Sequence, residues 1–170
     1  MPQTGSDSNK AVPARTQAER TALAESLMIK AAIKLLNTAG LQGTTAAAVG
    51  LNAGYSRGLA AHHFGTKAGL YRAVLKHVST IWTRELKGAL DGKTGIAAVG
   101  TAIDAHLAHA LHHPDFIRAQ NILWGAALDP SSEFKPNVAE FMQIQRDTVT
   151  AWVREGKAKG EISKNINARR

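Results

Sequence analysis

The 170-residue chain contains no cysteine. A disulfide framework and any cysteine-ligated zinc finger are therefore excluded, and the composition suits a reducing cytosol. Aromatics are scarce at 5%, while apolar residues make up 44% and are rich in Ala and Leu. That balance favours packed helices over sheets, because Ala costs least in a helix and fits a pleated surface poorly. No run approaches the ~20 apolar residues of a membrane span. Residues Met1 to Arg15 are polar, with Pro2, Gly5 and Pro13 and no apolar stretch, so they read as a disordered arm and not as a signal peptide. The P-loop, the Gly-x-Ser-x-Gly elbow and His-Glu-x-x-His are also missing, and the carboxylates are scattered singly along helices. These absences point to an all-α, cytoplasmic protein that is not an enzyme and has no segment that spans a membrane.

What is present in excess is positive charge. The formal balance is +8, and residues 1–80 hold 9 Lys/Arg against 3 Asp/Glu, whereas residues 81–170 hold 12 against 10. A cation excess at the amino-terminal end attracts polyanions, which leaves nucleic acid or an anionic membrane surface as the partner class. The length allows two lobes at most.

Helical periodicity and caps divide the chain. Thr16 and Glu19 form a capping box ahead of a stripe of Leu23, Met28, Ala32, Leu35 and Leu36, and Gly40 ends that helix after Ala39. A short helix follows over Thr45 to Asn52. Ala53-Gly54-Tyr55 interrupts it, and Ser56 is placed to cap a second short helix reaching His62 or His63. Thr66 caps a long helix to about Leu90. Ile96 to His112 forms the next, its stripe of Ile96, Val99, Ile103, Leu107 and Ala110 facing one way. Pro114 opens a helix to about Leu128, and a last one runs from about Pro136 to Ala158, with the tail after Gly160 expected to fray.

Two short helices meeting at a glycine turn, with small residues (Ala48, Ala53) where they touch and apolar anchors (Val49, Tyr55) to a supporting helix, meet the requirements of a helix-turn-helix. The second short helix is the one free to enter the major groove. Arg57 at its start suits a two-bond contact with guanine, Gly58 allows close approach, and Leu59 suits a thymine methyl group. Thr45, Ser56, His62, His63 and Lys67 suit the phosphates, which fix register without reading sequence. Lys10 and Arg15 read as a mobile basic tail, with a minor-groove arm as the alternative.

The ordered set Thr44-Thr45, Val49-Gly50, Ala53-Gly54-Tyr55-Ser56-Arg57-Gly58 and His62-His63-Phe64-Gly65-Thr66-Lys67 resembles the signature of TetR regulators. Ala31-Ala32-Ile33-Lys34-Leu35-Leu36 and Gly40 are similar to that family's first helix, so the resemblance spans about Met28 to Val78. It implies a homodimeric repressor that a small-molecule effector releases from a palindromic double-stranded DNA operator. It also implies base contacts at Arg57, Gly58 and Leu59 and phosphate contacts at Thr45, Ser56, His63 and Lys67, and Thr44 is a further DNA-binding candidate. Two features depart from the pattern. Ala60-Ala61 stand where the family has a bulky residue and a Tyr, and the family continues past a segment like Gly160-Glu161-Ile162 with two interface helices, whereas this sequence stops at Arg170. The resulting expectation is an arm over 1–15, a helix-turn-helix DNA-binding domain over 16–65 and a helical regulatory, ligand-binding lobe over 66–170.

In that second lobe Trp82, His106, Phe116, Trp124 and Phe141 are the candidates for an effector pocket, against the ordinary reading of such aromatics as core. His106, His109 and His113 share one edge of a helix. With no acidic or cysteine partner nearby in sequence, a polar wall is their default role and a metal-responsive regulator the alternative. A helical interaction module without operator binding is the remaining rival.

Overall fold

The computed structural model describes residues 16–167; the expected arm over 1–15 lies outside them. Among the described residues all regular structure is helical, as the composition predicts: α1 (Gln17–Gly43), α2 (Ala46–Asn52), α3 (Leu59–Phe64), α4 (Lys67–Leu90), α5 (Gly95–His112), α6 (Pro114–Ala127) and α7 (Lys135–Ala158). No described helix is long and apolar enough to cross a membrane.

The caps behave largely as their chemistry dictates. Thr16 and Glu19 close the capping box reciprocally, and the hydroxyls of Thr45 and Thr66 accept from the amides of Ala48 and Gly69 at 3.1 and 3.0 Å. Gly40 takes φ +64°, so the α-helical run does stop there, and the three residues after it form a kinked extension of α1.

One contiguous core joins α1, α2, α3, α4 and α6. Met28, Leu36, Val49, Leu70, Val74 and Leu123 are fully buried within it, and Phe134 closes one side. Residues on both sides of the boundary expected between 65 and 66 contribute to this core. α1 lies against α6, where the Asn37 side chain donates to the Asp115 carbonyl at 2.9 Å. Tyr71, in the second turn of α4, donates to the Leu41 carbonyl at 3.0 Å and meets the Phe134 ring edge-on, tying α4 to the end of α1. Burial pushes its phenol up from 10.0 to about 12.

The apolar stripe of α5 does not face inward: Ile96, Ile103 and Leu107 are about half exposed or more, while Ala98 and His109 are buried. α5 is pressed between α4 and α7, and small side chains on the inward face let those helices approach closely, which turns the larger residues outward. Among the described residues after Gly160 none is helical, but the first of them fold back on α7. Gly160 takes φ +75°, the amides of Glu161 and Ile162 bond back to the Gly156 carbonyl, and Glu161 then accepts from the Ile96 amide at 2.9 Å. With Glu155 accepting from the Gly95 amide at 3.3 Å, two carboxylates meet the positive end of α5.

Candidate functional site

The two short helices are held by backbone-to-backbone proximity. Gly54 at φ +81° makes the turn, and the Tyr55 amide bonds to the Gly50 carbonyl at 2.9 Å. A side chain at Gly50 would meet the Ser56 carbonyl oxygen at 2.5 Å, so the missing Cβ is what lets the chain entering α3 lie against α2. A methyl at Gly69 would meet the Phe64 carbonyl oxygen at 2.1 Å, so the end of α3 sits equally close to the first turn of α4. Val49 and Ala60 are fully buried beneath.

Ser56, Arg57, Gly58 and His62 are all exposed on the outer side of this unit, and Thr45 and Lys67 are exposed at the starts of α2 and α4. No hydrogen bond or ion pair ties the Arg57 guanidinium among the described residues. Lys67 places its ammonium 5.7 Å from the centre of the Tyr71 ring.

Several expected positions differ. Helix α3 begins at Leu59, two residues later than a Ser56 cap requires. The Ser56 side chain makes no cap; its carbonyl accepts from Leu59 in a turn, and Arg57 and Gly58 stand in that turn, just ahead of the helix. Thr44 is fully buried with its hydroxyl donating to the Gly40 carbonyl at 2.7 Å, so it has no surface to offer a phosphate. Leu59 is half-buried against the core. His63 faces α1, with Nε2 3.4 Å from the Glu25 carboxylate and its ring edge-on to Phe64.

A second feature lies between α4, α5, α6 and α7. A cavity of about 130 Å³ is lined by Trp82, His106, His109, Trp124, Phe141 and Gln145, among others. It thus gathers four of the five aromatic and histidine candidates. Phe116 is elsewhere, stacked on His113 with ring centres 5.0 Å apart. Trp124, Phe141 and Gln120 also line an adjoining cleft of about 520 Å³, whose rim carries Arg72 and Lys76.

Beside the cavity the structure supplies the acidic partner that the sequence did not suggest. Glu85 of α4 accepts from His109 Nδ1 at 2.6 Å and from His113 Nε2 at 2.9 Å, while His106 packs edge-on against Trp82 instead. Partial burial works to raise the Glu85 pKa, but the two histidine hydrogen bonds outweigh it and the carboxyl ends below its usual range. Its 24-residue separation from His109 is a tertiary relation, invisible to local spacing.

Residues 28–74 match the family model described as bacterial regulatory proteins, tetR family. The HTH-type transcriptional regulator BetI of Burkholderia cenocepacia (strain HI2424) is 35% identical over 80 residues, a match covering 44% of this chain and 41% of that protein. The BetI of Burkholderia thailandensis is 43% identical over 51 residues, 30% of this chain and 26% of the relative. The chain therefore spans less than half of these curated relatives. Among solved structures, a protein described as a TetR-family transcriptional regulator from Rhodococcus sp. superposes with a TM-score of 0.70 at 18% identity, over 87% of this chain and 78% of that one. A transcriptional regulator from Pseudomonas aeruginosa PAO1 gives 0.72 at 23%, over 91% and 73%.

Proposed function

We propose that this chain, whose amino-terminal segment is a TetR-type helix-turn-helix domain, is a transcriptional repressor that grips a palindromic operator as a homodimer and lets go when a small molecule enters its second lobe. In this reading residues 16–65 hold the DNA and residues 66–170 regulate it. The observation that carries the reading is the exposed turn Ser56-Arg57-Gly58 leading into α3, backed by Gly50 and followed by exposed His62. Arg57 pairs with a base, Gly58 permits approach, and Thr45, Ser56, His62 and Lys67 hold phosphates. His63, partly engaged by Glu25, contributes less.

The cavity between α4 and α7 is the effector site, bounded by Trp82, His106, Trp124 and Phe141. An occupant acts only by favouring one position of α4 over another, a difference usually worth ~1–3 kcal/mol. In the dimer the two α3 helices sit about one DNA turn, ~34 Å, apart. The outward apolar stripe of α5, with Ile103, Leu107 and Leu111 exposed, offers a surface for the second copy.

Selection of bound duplexes from a random library tests the reading. A recovered palindrome for which the logarithm of affinity falls linearly with the logarithm of salt concentration supports it. No enrichment together with no salt-sensitive association removes it.

A further inference from the structure

We propose that Glu85, His109 and His113 form a binding site for a divalent transition cation of the zinc type. Three separate pieces of the fold converge there: α4 supplies Glu85, the last turn of α5 supplies His109, and the α5–α6 junction supplies His113. One donor atom from each lies within 4.8 Å of the other two. Zinc binds such nitrogens and oxygens at ~2.0–2.2 Å, which sets the donors of a tetrahedral site about 3.4 Å apart. Small side-chain rotations therefore suffice to exchange the two Glu85–histidine hydrogen bonds for bonds to the ion. Two imidazoles and one carboxylate leave a fourth position for water.

A second observation concerns His109 itself. Its Nε2 is buried and has no hydrogen-bond partner. When Nδ1 gives its lone pair to a metal, the ring's proton resides on Nε2, and a metal-bound imidazole characteristically donates that proton to an oxygen of the surrounding shell. Nε2 belongs to a ring lining the same small cavity as Gln120 and Gln145, whose amide oxygens are acceptors of that kind. Phe116, stacked nearly parallel on His113 at an interplanar angle of 6°, fixes the other imidazole, and Trp82 lies 5.4 Å from His109. An ion here fastens α4 to the α5–α6 junction. The site stands apart from the DNA-binding proposal and is tested without DNA.

The experiment is calorimetric titration of the full chain with zinc chloride, paired with visible absorption on adding cobalt(II). Expected are one ion per chain, cobalt bands typical of four-coordinate geometry that zinc abolishes, and an affinity at least about 10-fold lower in both Glu85→Gln and His113→Ala. His112→Ala, altering an exposed neighbour, should bind as the unsubstituted chain does. Circular dichroism checks that the variants retain their helices. Should they not, the cobalt spectrum of the unsubstituted chain decides, since absence of four-coordinate bands overturns the proposal. Silence in the zinc titration overturns it too, leaving Glu85 as a hydrogen-bond acceptor alone, and undiminished binding in both folded variants would place the ion elsewhere.

Discussion

Replacing Gly50 by Ala tests the geometry that presents Arg57. The added methyl would lie 2.5 Å from the Ser56 carbonyl oxygen and 3.7 Å from the Arg57 Cα. Both neighbours are backbone and cannot rotate aside, so α2 and the turn must separate by about an ångström, at an overpacking cost in the ~1–3 kcal/mol range. The better helix propensity of Ala offsets up to ~1 kcal/mol of that, so a mid-range cost of ~2 kcal/mol leaves a net loss of about 1 kcal/mol and a fall in Tm of roughly 2–4 °C for a chain of this size. Displacing Arg57 forfeits the proposed base contact, worth ~1–3 kcal/mol, so operator affinity should fall by about 10- to 100-fold. Gly58→Ala is the contrasting variant. Nothing lies within 4 Å of a methyl there and its φ of −84° is ordinary, so stability should hold or rise by ~0.4–1 kcal/mol, while DNA affinity drops because the methyl obstructs the approaching groove. Thermal melts and fluorescence anisotropy with a selected duplex measure both. A Gly50→Ala chain with unchanged Tm and affinity would refute the packing argument, and a Gly58→Ala chain with full affinity would refute the approach of DNA at that point.

Other consequences are equally open to measurement. Arg57→Ala should relax base preference at one position of each half-site while costing about 10- to 100-fold in affinity; unchanged preferences in a repeated selection would remove Arg57 from base reading. Leu123→Ala, at a fully buried site on α6, should lower stability by ~2–5 kcal/mol in urea titration, and a loss below ~1 kcal/mol would contradict its place in the core. The folded chain holds the Tyr71 proton more tightly than the unfolded chain does, so the associated stability is full below pH 10 and disappears as pH rises to about 12. Alkaline unfolding of Tyr71→Phe should lack that component, and identical profiles would count against it. Leu107→Glu places a charge on the outward stripe of α5 and should shift light scattering toward monomer, whereas an unaltered mass would move the subunit contact elsewhere.

Much of this was legible in the sequence where the controlling physics is local. Thr16, Thr45 and Thr66 cap helices because a hydroxyl just before a helical run satisfies free amides, and Gly54 turns the chain because it needs a positive φ. Ser56 misled for the same local reason: the turn after Gly54 takes two more residues than a side-chain cap would, so α3 starts at Leu59. Thr44 carried the right motif but its hydroxyl was already committed to Gly40. The inward face of α5 could not be read from its own periodicity, since the neighbours on either side select the small residues. Likewise the Glu85 pairing with His109 and His113 depends on how two helices cross, which no spacing rule records.

The near-contact of Gly69 with the Phe64 carbonyl has a mechanical corollary. With α3 pinned at its tail by α4 and at its head by α2, the six-residue helix has no hinge of its own and must travel as α4 travels. A 24-residue helix is ~36 Å long, so turning it by only ~5° about its far end carries the near end through ~3 Å. A displacement of that size exceeds the tolerance of a hydrogen bond, so under the proposed function a modest swelling of the inner cavity would suffice to lift both α3 tips of the proposed dimer out of register.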